Sequence, residues 1–159
     1  MSAQYYLAGS ALDGRSGHEA GRALLAQLYQ AHAGGPLPEI LTMPKGKPYF
    51  AQGPWHFSIT HTSRHAFCVL ADHPVGIDAE ESDRDISLSL AEKILSPAEL
   101  AHFHAAANPR LALLRFWVLK EAEAKRTGQG ISFHPRHTDF SPEDPRIQCR
   151  DGCILAVIL

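Results

Sequence analysis

The C-terminal stretch RIQCRDGCILAVIL constrains the fold most. β-rich residues flank Asp151-Gly152, a pair suited to a two-residue primed turn, so the tail is expected to close as a hairpin. A second hairpin is expected upstream, where HFSITHT (56–62) and HAFCVLA (65–71) are separated by Ser63-Arg64. YYLAGSAL (5–12) reads as a first strand, and His73-Pro74 turns the chain into a further extended run, VGIDAEE (75–81).

Helix signals interrupt these strands. Ser16 with Glu19 has the spacing of a capping box, followed by a stripe of Leu24, Leu25, Leu28 and Tyr29 that stops near Gly34-Gly35. PLPEILTMPKGKPYF reads as extended segments joined by turns. A helix is expected over 87–95. Another starts at Ser96-Pro97-Ala98-Glu99, and a third covers about 110–127, entered at Asn108-Pro109 and ended by Gly128. With no low-complexity segment and no long linker, the element list is that of an α+β unit.

At 159 residues and 45% hydrophobic, the chain suits one compact domain or two small lobes sharing a core. A net charge of −2 supplies no overall basic field for nucleic acid. Ten histidines make its charge sensitive to mild acid. The opening MSAQYYLAGSALDG has no basic region leading into a long apolar run, and no stretch approaches the ~18 apolar residues of a membrane span. Together with the odd count of three cysteines, this leads us to expect a soluble, cytoplasmic protein with reduced thiols. Cys149 and Cys153 flank the RDG turn and are expected as packed strand residues rather than a bridge.

The chemistry begins at GIDAEE. On a strand, Asp78 and Glu80 point to one side, and two carboxylates so close raise one pKa or require a cation. A solvated strand edge is the plain alternative. In FWVLKEAEAK, Trp117, Glu121 and Lys125 lie four apart on one helical stripe, on a helix that turns Leu113 and Leu114 to the core. An exposed Glu121–Lys125 pair would contribute only about 0.3–0.5 kcal/mol. The tryptophan argues instead for a partly buried face, where a carboxylate needs a partner. Three carboxylates suit Mg²⁺ with positions left for phosphate, giving Lys47, His61 and Lys125 a purpose. Neither a Walker A pattern nor a dinucleotide fingerprint is present.

Taken in order, GKPYF, HFSITHT, VGIDAEE and FWVLKEAEAKRTGQGIS resemble the surfactin-type 4′-phosphopantetheinyl transferases over roughly 47–132. The family pattern is GKP, Ser-His after a strand, G-I-D-x-E, then W-x-x-K-E-[A/S]-x-x-K. The resemblance implies a pseudo-dimeric fold of two similar α+β lobes in one chain, each a small antiparallel sheet with packed helices. The lobes are expected at 1–74 and 75–159, with coenzyme A in the cleft between them and a monomeric state. It implies transfer of phosphopantetheine from coenzyme A to a serine of an apo acyl or peptidyl carrier protein, releasing adenosine 3′,5′-bisphosphate. By motif position, Asp78, Glu80 and Glu121 resemble the Mg²⁺ ligands and Lys125 the cation beside the pyrophosphate. His61, with Thr60 before it, resembles a phosphate contact, and Lys47 stands where the family holds the nucleotide end. Glu121, directly or through a metal-bound water, is the first candidate base for the carrier serine, with Lys125 as its catalytic partner.

The departures are specific. Family members carry a longer N-terminal segment with basic residues for the 3′-phosphate, where this chain has Arg15 and Arg22 nearby. Arg22 in GRALL falls near the family's nucleotide-binding helix. Thr60 replaces the usual serine and keeps its hydroxyl, and Ala79 replaces a bulkier residue.

Two other readings differ in class. A non-catalytic coenzyme A or carrier-binding relative would have no need of the carboxylate at Glu121. A histidine-based transition-metal protein would draw on His61 with His65, or His102 with His104. The first pair spans a hairpin turn and the second points to different sides of a helix, so these are expected to be structural or surface histidines. LAEKIL (90–95) is amphipathic, and Arg84, Lys93, Arg110 and Arg115 are expected as rim contacts for an acidic carrier.

Overall fold

A computed structural model describes residues 4–130 and 139–159. The expected Gly-Ile-Ser after Gln129 runs into 131–138 and lies partly outside the described residues. Among the described residues, eight strands and four helices follow one another along the chain: β1 (Tyr5–Ala11), α1 (Gly17–His32), β2 (Ile40–Thr42), β3 (Pro48–Phe50), β4 (His56–His61), β5 (His65–Ala71), β6 (Gly76–Glu81), α2 (Ala91–Ile94), α3 (Pro97–Ala105), α4 (Pro109–Thr127), β7 (Ile147–Arg150) and β8 (Cys153–Ile158). The chain is α+β with antiparallel sheets. One three-stranded sheet has the order β1-β5-β4 and another the order β6-β8-β7, while β2 and β3 form a separate ribbon.

Both expected hairpins form, β4–β5 and β7–β8, the second around Asp151-Gly152 with positive φ at both residues. In each three-stranded sheet the second hairpin strand occupies the centre. That explains why HAFCVLA and CILAVI are apolar almost throughout, since each is covered on both faces. Alternate residues of β5 divide accordingly: Ala66, Cys68 and Leu70 pack beneath α1 with Leu24, Leu25 and Phe57. Phe67, Val69 and Ala71 meet Ile77 and Ala79 of β6 and Leu155 and Val157 of β8. Ile154, Ala156 and Ile158 pack beneath α4 with Leu114, Val118 and Leu119. The layers are therefore α1, sheet, sheet, α4.

Capping follows the sequence closely. Ser96 and Glu99 form the full reciprocal box at α3, and α4 starts on Asn108-Pro109 and ends at Gly128 with φ of 75°. At α1 only half the expected box forms, because Ser16 accepts from the Glu19 amide without a return bond. The helix expected over 87–95 becomes a 3₁₀ turn at Leu88–Leu90 followed by the four-residue α2. Cys153 is buried as expected, but Cys149 is exposed at the turn end of β7, a strand paired on one side only. Cys68, Cys149 and Cys153 are all free thiols.

One close approach sets up the site. A Cβ at Gly76 would collide with the carbonyl of Ala122 and the amide of Arg126, so the absence of a side chain lets α4 lie directly on β6.

Candidate active site

Because α4 crosses β6 at Gly76, its next outward turns bring Glu121 and Lys125 alongside Asp78. Asp78 is buried, and its Oδ1 accepts hydrogen bonds from Lys125 Nζ at 3.1 Å and Thr60 Oγ1 at 3.3 Å. Its other oxygen, Oδ2, is buried with no hydrogen-bond partner. Burial pushes the Asp78 carboxyl up to about 7; Lys125 opposes the rise, while Glu121 and Glu80 add to it. The same physics acts on Glu121, whose carboxyl is raised by burial, lowered by Lys125, raised by Glu80 and lowered by Arg84.

Glu80 faces the same side of β6 as Asp78, as the strand alternation requires. Its Oε1 accepts from Arg84 Nη1 at 2.6 Å and from Trp117 Nε1 at 3.1 Å. Three carboxylates are thus gathered with two cations. They do not converge on one point here, because Arg84 holds Glu80. Arg84 and the indole N–H of Trp117 are residues that sequence reasoning missed in this role. Trp117 was legible only as part of the core stripe, and Arg84 only as a surface charge.

Beside this group lies a cleft of about 240 Å³ between the β2–β3 turn, β4 and the last turns of α4, lined by Lys45, Lys47, Ser58, Glu121, Lys125 and Gly128 among others. Three of the expected site residues, Lys47, Glu121 and Lys125, share it. Lys47 Nζ donates to the carbonyls of Val75 at 3.2 Å and Arg126 at 2.9 Å, anchoring the turn to the C-terminal end of α4. Burial, reinforced by Arg126, lowers the Lys47 ammonium to about 8. Lys45, on the same turn and exposed, joins the cleft without having been expected there, although the two lysines of PKGKP are its signal in the sequence.

Thr60 joins the site through Asp78. His61, the next residue, is exposed, and its ring packs where a Cβ on Gly17 would stand, at the start of α1. Arg22 is half-buried on α1, where its charge acts on the Cys68 thiol. Neither His61 nor Arg22 is among the described residues lining the cleft. Of the expected rim cations, Arg110 donates to the carbonyls of Ser82 and Arg84, Arg115 to that of Pro142, and Lys93 is exposed.

Chemically, an acidic pair of strand carboxylates, a half-buried helix carboxylate and a lysine at the mouth of a cationic cleft suit an anionic substrate bound through a divalent ion. The orphaned Oδ2 of Asp78 is the direct sign, since a buried carboxylate oxygen with no donor is costly unless a cation meets it.

Residues 74–152, from the turn before β6 into the β7–β8 hairpin, match the 4′-phosphopantetheinyl transferase superfamily. The chain is 35% identical over 103 residues to the 4′-phosphopantetheinyl transferase psf-1 of Bacillus pumilus, covering 62% of this chain and 44% of that protein. It is 37% identical over 114 residues to the 4′-phosphopantetheinyl transferase AcpT of Salmonella typhi, covering 69% of this chain and 57% of that protein. The match to gsp of Aneurinibacillus migulanus, another 4′-phosphopantetheinyl transferase, is 32% identical over 88 residues. The chain spans about half the length of the curated relatives it matches.

Proposed function

We propose, from the match of residues 74–152 to the 4′-phosphopantetheinyl transferase superfamily, that this chain transfers 4′-phosphopantetheine from coenzyme A to a serine of an apo acyl or peptidyl carrier protein. The observation that carries the reading is the buried, unpartnered Oδ2 of Asp78 in a carboxylate group that opens onto a cleft bearing Lys45, Lys47 and Lys125.

In this reading the serine hydroxyl attacks the β-phosphorus of coenzyme A. The bond from that phosphorus to the bridging oxygen breaks, adenosine 3′,5′-bisphosphate leaves with the electron pair, and the serine proton passes to Glu121. A half-buried glutamate with a raised pKa suits that base role. Lys125 neutralises charge on the bridging oxygen as it leaves. The donor set fits Mg²⁺: Asp78 through its free oxygen, Glu121, and Glu80 once Arg84 releases it. When bound, Mg²⁺ supplies charge neutralisation for the pyrophosphate. Lys47 and Lys45 are suited to the nucleotide phosphates, and His61 and Arg22 remain candidates at the margin of the same surface.

We further read the chain as two lobes, 1–74 and 75–159, built on one plan. The strand orders β1-β5-β4 and β6-β8-β7 support this, each arising from a strand, a helix on its outer face and a hairpin whose second strand takes the centre. The break falls between β5 and β6. Among the described residues no helix is long and apolar enough to cross a membrane, and we expect a cytoplasmic monomer.

The test is to incubate the protein with coenzyme A, Mg²⁺ and several apo carrier proteins and to weigh the carriers. A gain of one phosphopantetheine, abolished by chelator and by Glu121→Gln, is expected. Coenzyme A binding without any gain on any carrier would favour a non-catalytic binding relative instead.

A further inference from the structure

β6 has a second face, turned away from the carboxylates and towards the other sheet. On it Glu81 continues the row of Ile77 and Ala79, and its register partner on β8 is Cys153, so these two side chains stand side by side. The facing sheet presents the row His65, Phe67, Val69 and Ala71 of β5, and His65 is the member at this end. Strand alternation on three strands therefore delivers an imidazole, a carboxylate and a thiol to one point at the end of the inter-sheet core. His65 Nδ1 is 2.7 Å from Glu81 Oε1 and 3.5 Å from Cys153 Sγ, and the three donor atoms all lie within 4.8 Å of one another. Among the described residues they are the only three such donors gathered this closely.

We propose that His65, Glu81 and Cys153 form a zinc site that pins the two sheets together. Nitrogen, sulfur and a carboxylate oxygen are the donors zinc takes, whereas thiolate is a poor ligand for magnesium, so this site is chemically distinct from the one beside Asp78. Ligand bonds of ~2.0–2.3 Å in a tetrahedron separate donor atoms by roughly 3.4–3.7 Å. The Sγ–Nδ1 spacing already meets that, and Nδ1 and Oε1 need to part by less than about 1 Å, the ion replacing the proton they share. Both converge through the same ring nitrogen, which suits a common ligand and does not suit a relay from thiol through imidazole to carboxylate. Supporting groups are in place: the Thr62 hydroxyl donates to Glu81 Oε1 at 2.7 Å, and Arg64 lies 3.4 Å from Oε2 while pairing with Asp83. Cys153 is buried at 1% exposure and His65 is at the partly open edge, leaving the fourth position to water.

The experiment titrates the metal-free full chain with Co²⁺ in excess Mg²⁺, follows the thiolate-to-cobalt charge-transfer band, and displaces the cobalt with Zn²⁺. Thermal unfolding with and without Zn²⁺ is run in parallel. One equivalent of cobalt and a rise in Tm of several degrees with Zn²⁺ are expected. Both should vanish in Cys153→Ala and in His65→Ala, each first shown to be folded by circular dichroism, and both should survive in Cys149→Ser. No band in the folded wild-type chain, a band that persists in Cys153→Ala, or one lost only in Cys149→Ser would overturn the proposal.

Discussion

Lys125 Nζ on α4 lies 3.1 Å from Oδ1 of Asp78 on β6, a direct charged link between the helix and the strand at the site. The pair satisfies one oxygen of a buried carboxylate and leaves the other without a hydrogen-bond partner, the feature on which the proposed cation site rests.

Lys125→Ala removes the charge beside the expected leaving oxygen. Carrier modification at saturating coenzyme A is expected to fall by about 10²–10³-fold, with the circular dichroism spectrum unchanged. A rate within a few-fold of wild type would remove Lys125 from the chemistry.

Asp78→Asn tests the buried charge. Because the folded carboxyl titrates near 7 against an ordinary 3.8, its protonated form favours the fold. That stability is present below pH 3.8 and is lost as pH rises through 7. The metal-free variant is therefore expected to exceed wild type at pH 8 by on the order of 4 kcal/mol in urea unfolding and to match it near pH 4. A difference that does not change with pH would contradict the burial account.

Gly76→Ala places a methyl group against the backbone of α4 at Ala122 and Arg126. Backbone cannot yield as a side chain does, so a loss of about 3 kcal/mol is expected in denaturant unfolding. An unchanged midpoint would mean that helix and strand are not in close contact there.

Arg84→Ala frees Glu80 from its 2.6 Å partner. Mn²⁺ binding, read by electron paramagnetic resonance, is expected to tighten by about three- to tenfold, equivalent to ~1 kcal/mol. Weaker binding would assign Arg84 to holding Glu80 and Trp117 in place.

Much of this was legible in order of residues. Turn chemistry at Asp151-Gly152, the caps at Ser96 and Asn108, and the stop at Gly128 are local, so their signals survive in sequence. The three carboxylates and Lys125 were legible from strand and helix spacing. Arg84 was not, because its partner Glu80 is met through the loop after β6. The sequence sets His65 beside His61 across a hairpin turn, whereas its thiol neighbour, Cys153, lies 88 residues away. Cys149 was expected to pack, but its strand is covered by a neighbour on one side only.

The sequence by itself determined the α+β element list, both hairpins, and which faces of β6 and α4 carry charge, because periods of 2 and 3.6 are properties of the local chain. Only the tertiary structure decided what those faces meet. Gly76 lets α4 close on β6 so that Lys125 reaches Asp78, and sheet-on-sheet packing brings His65 to Glu81 and Cys153. Such meetings depend on how whole layers stack, and no local pattern encodes them.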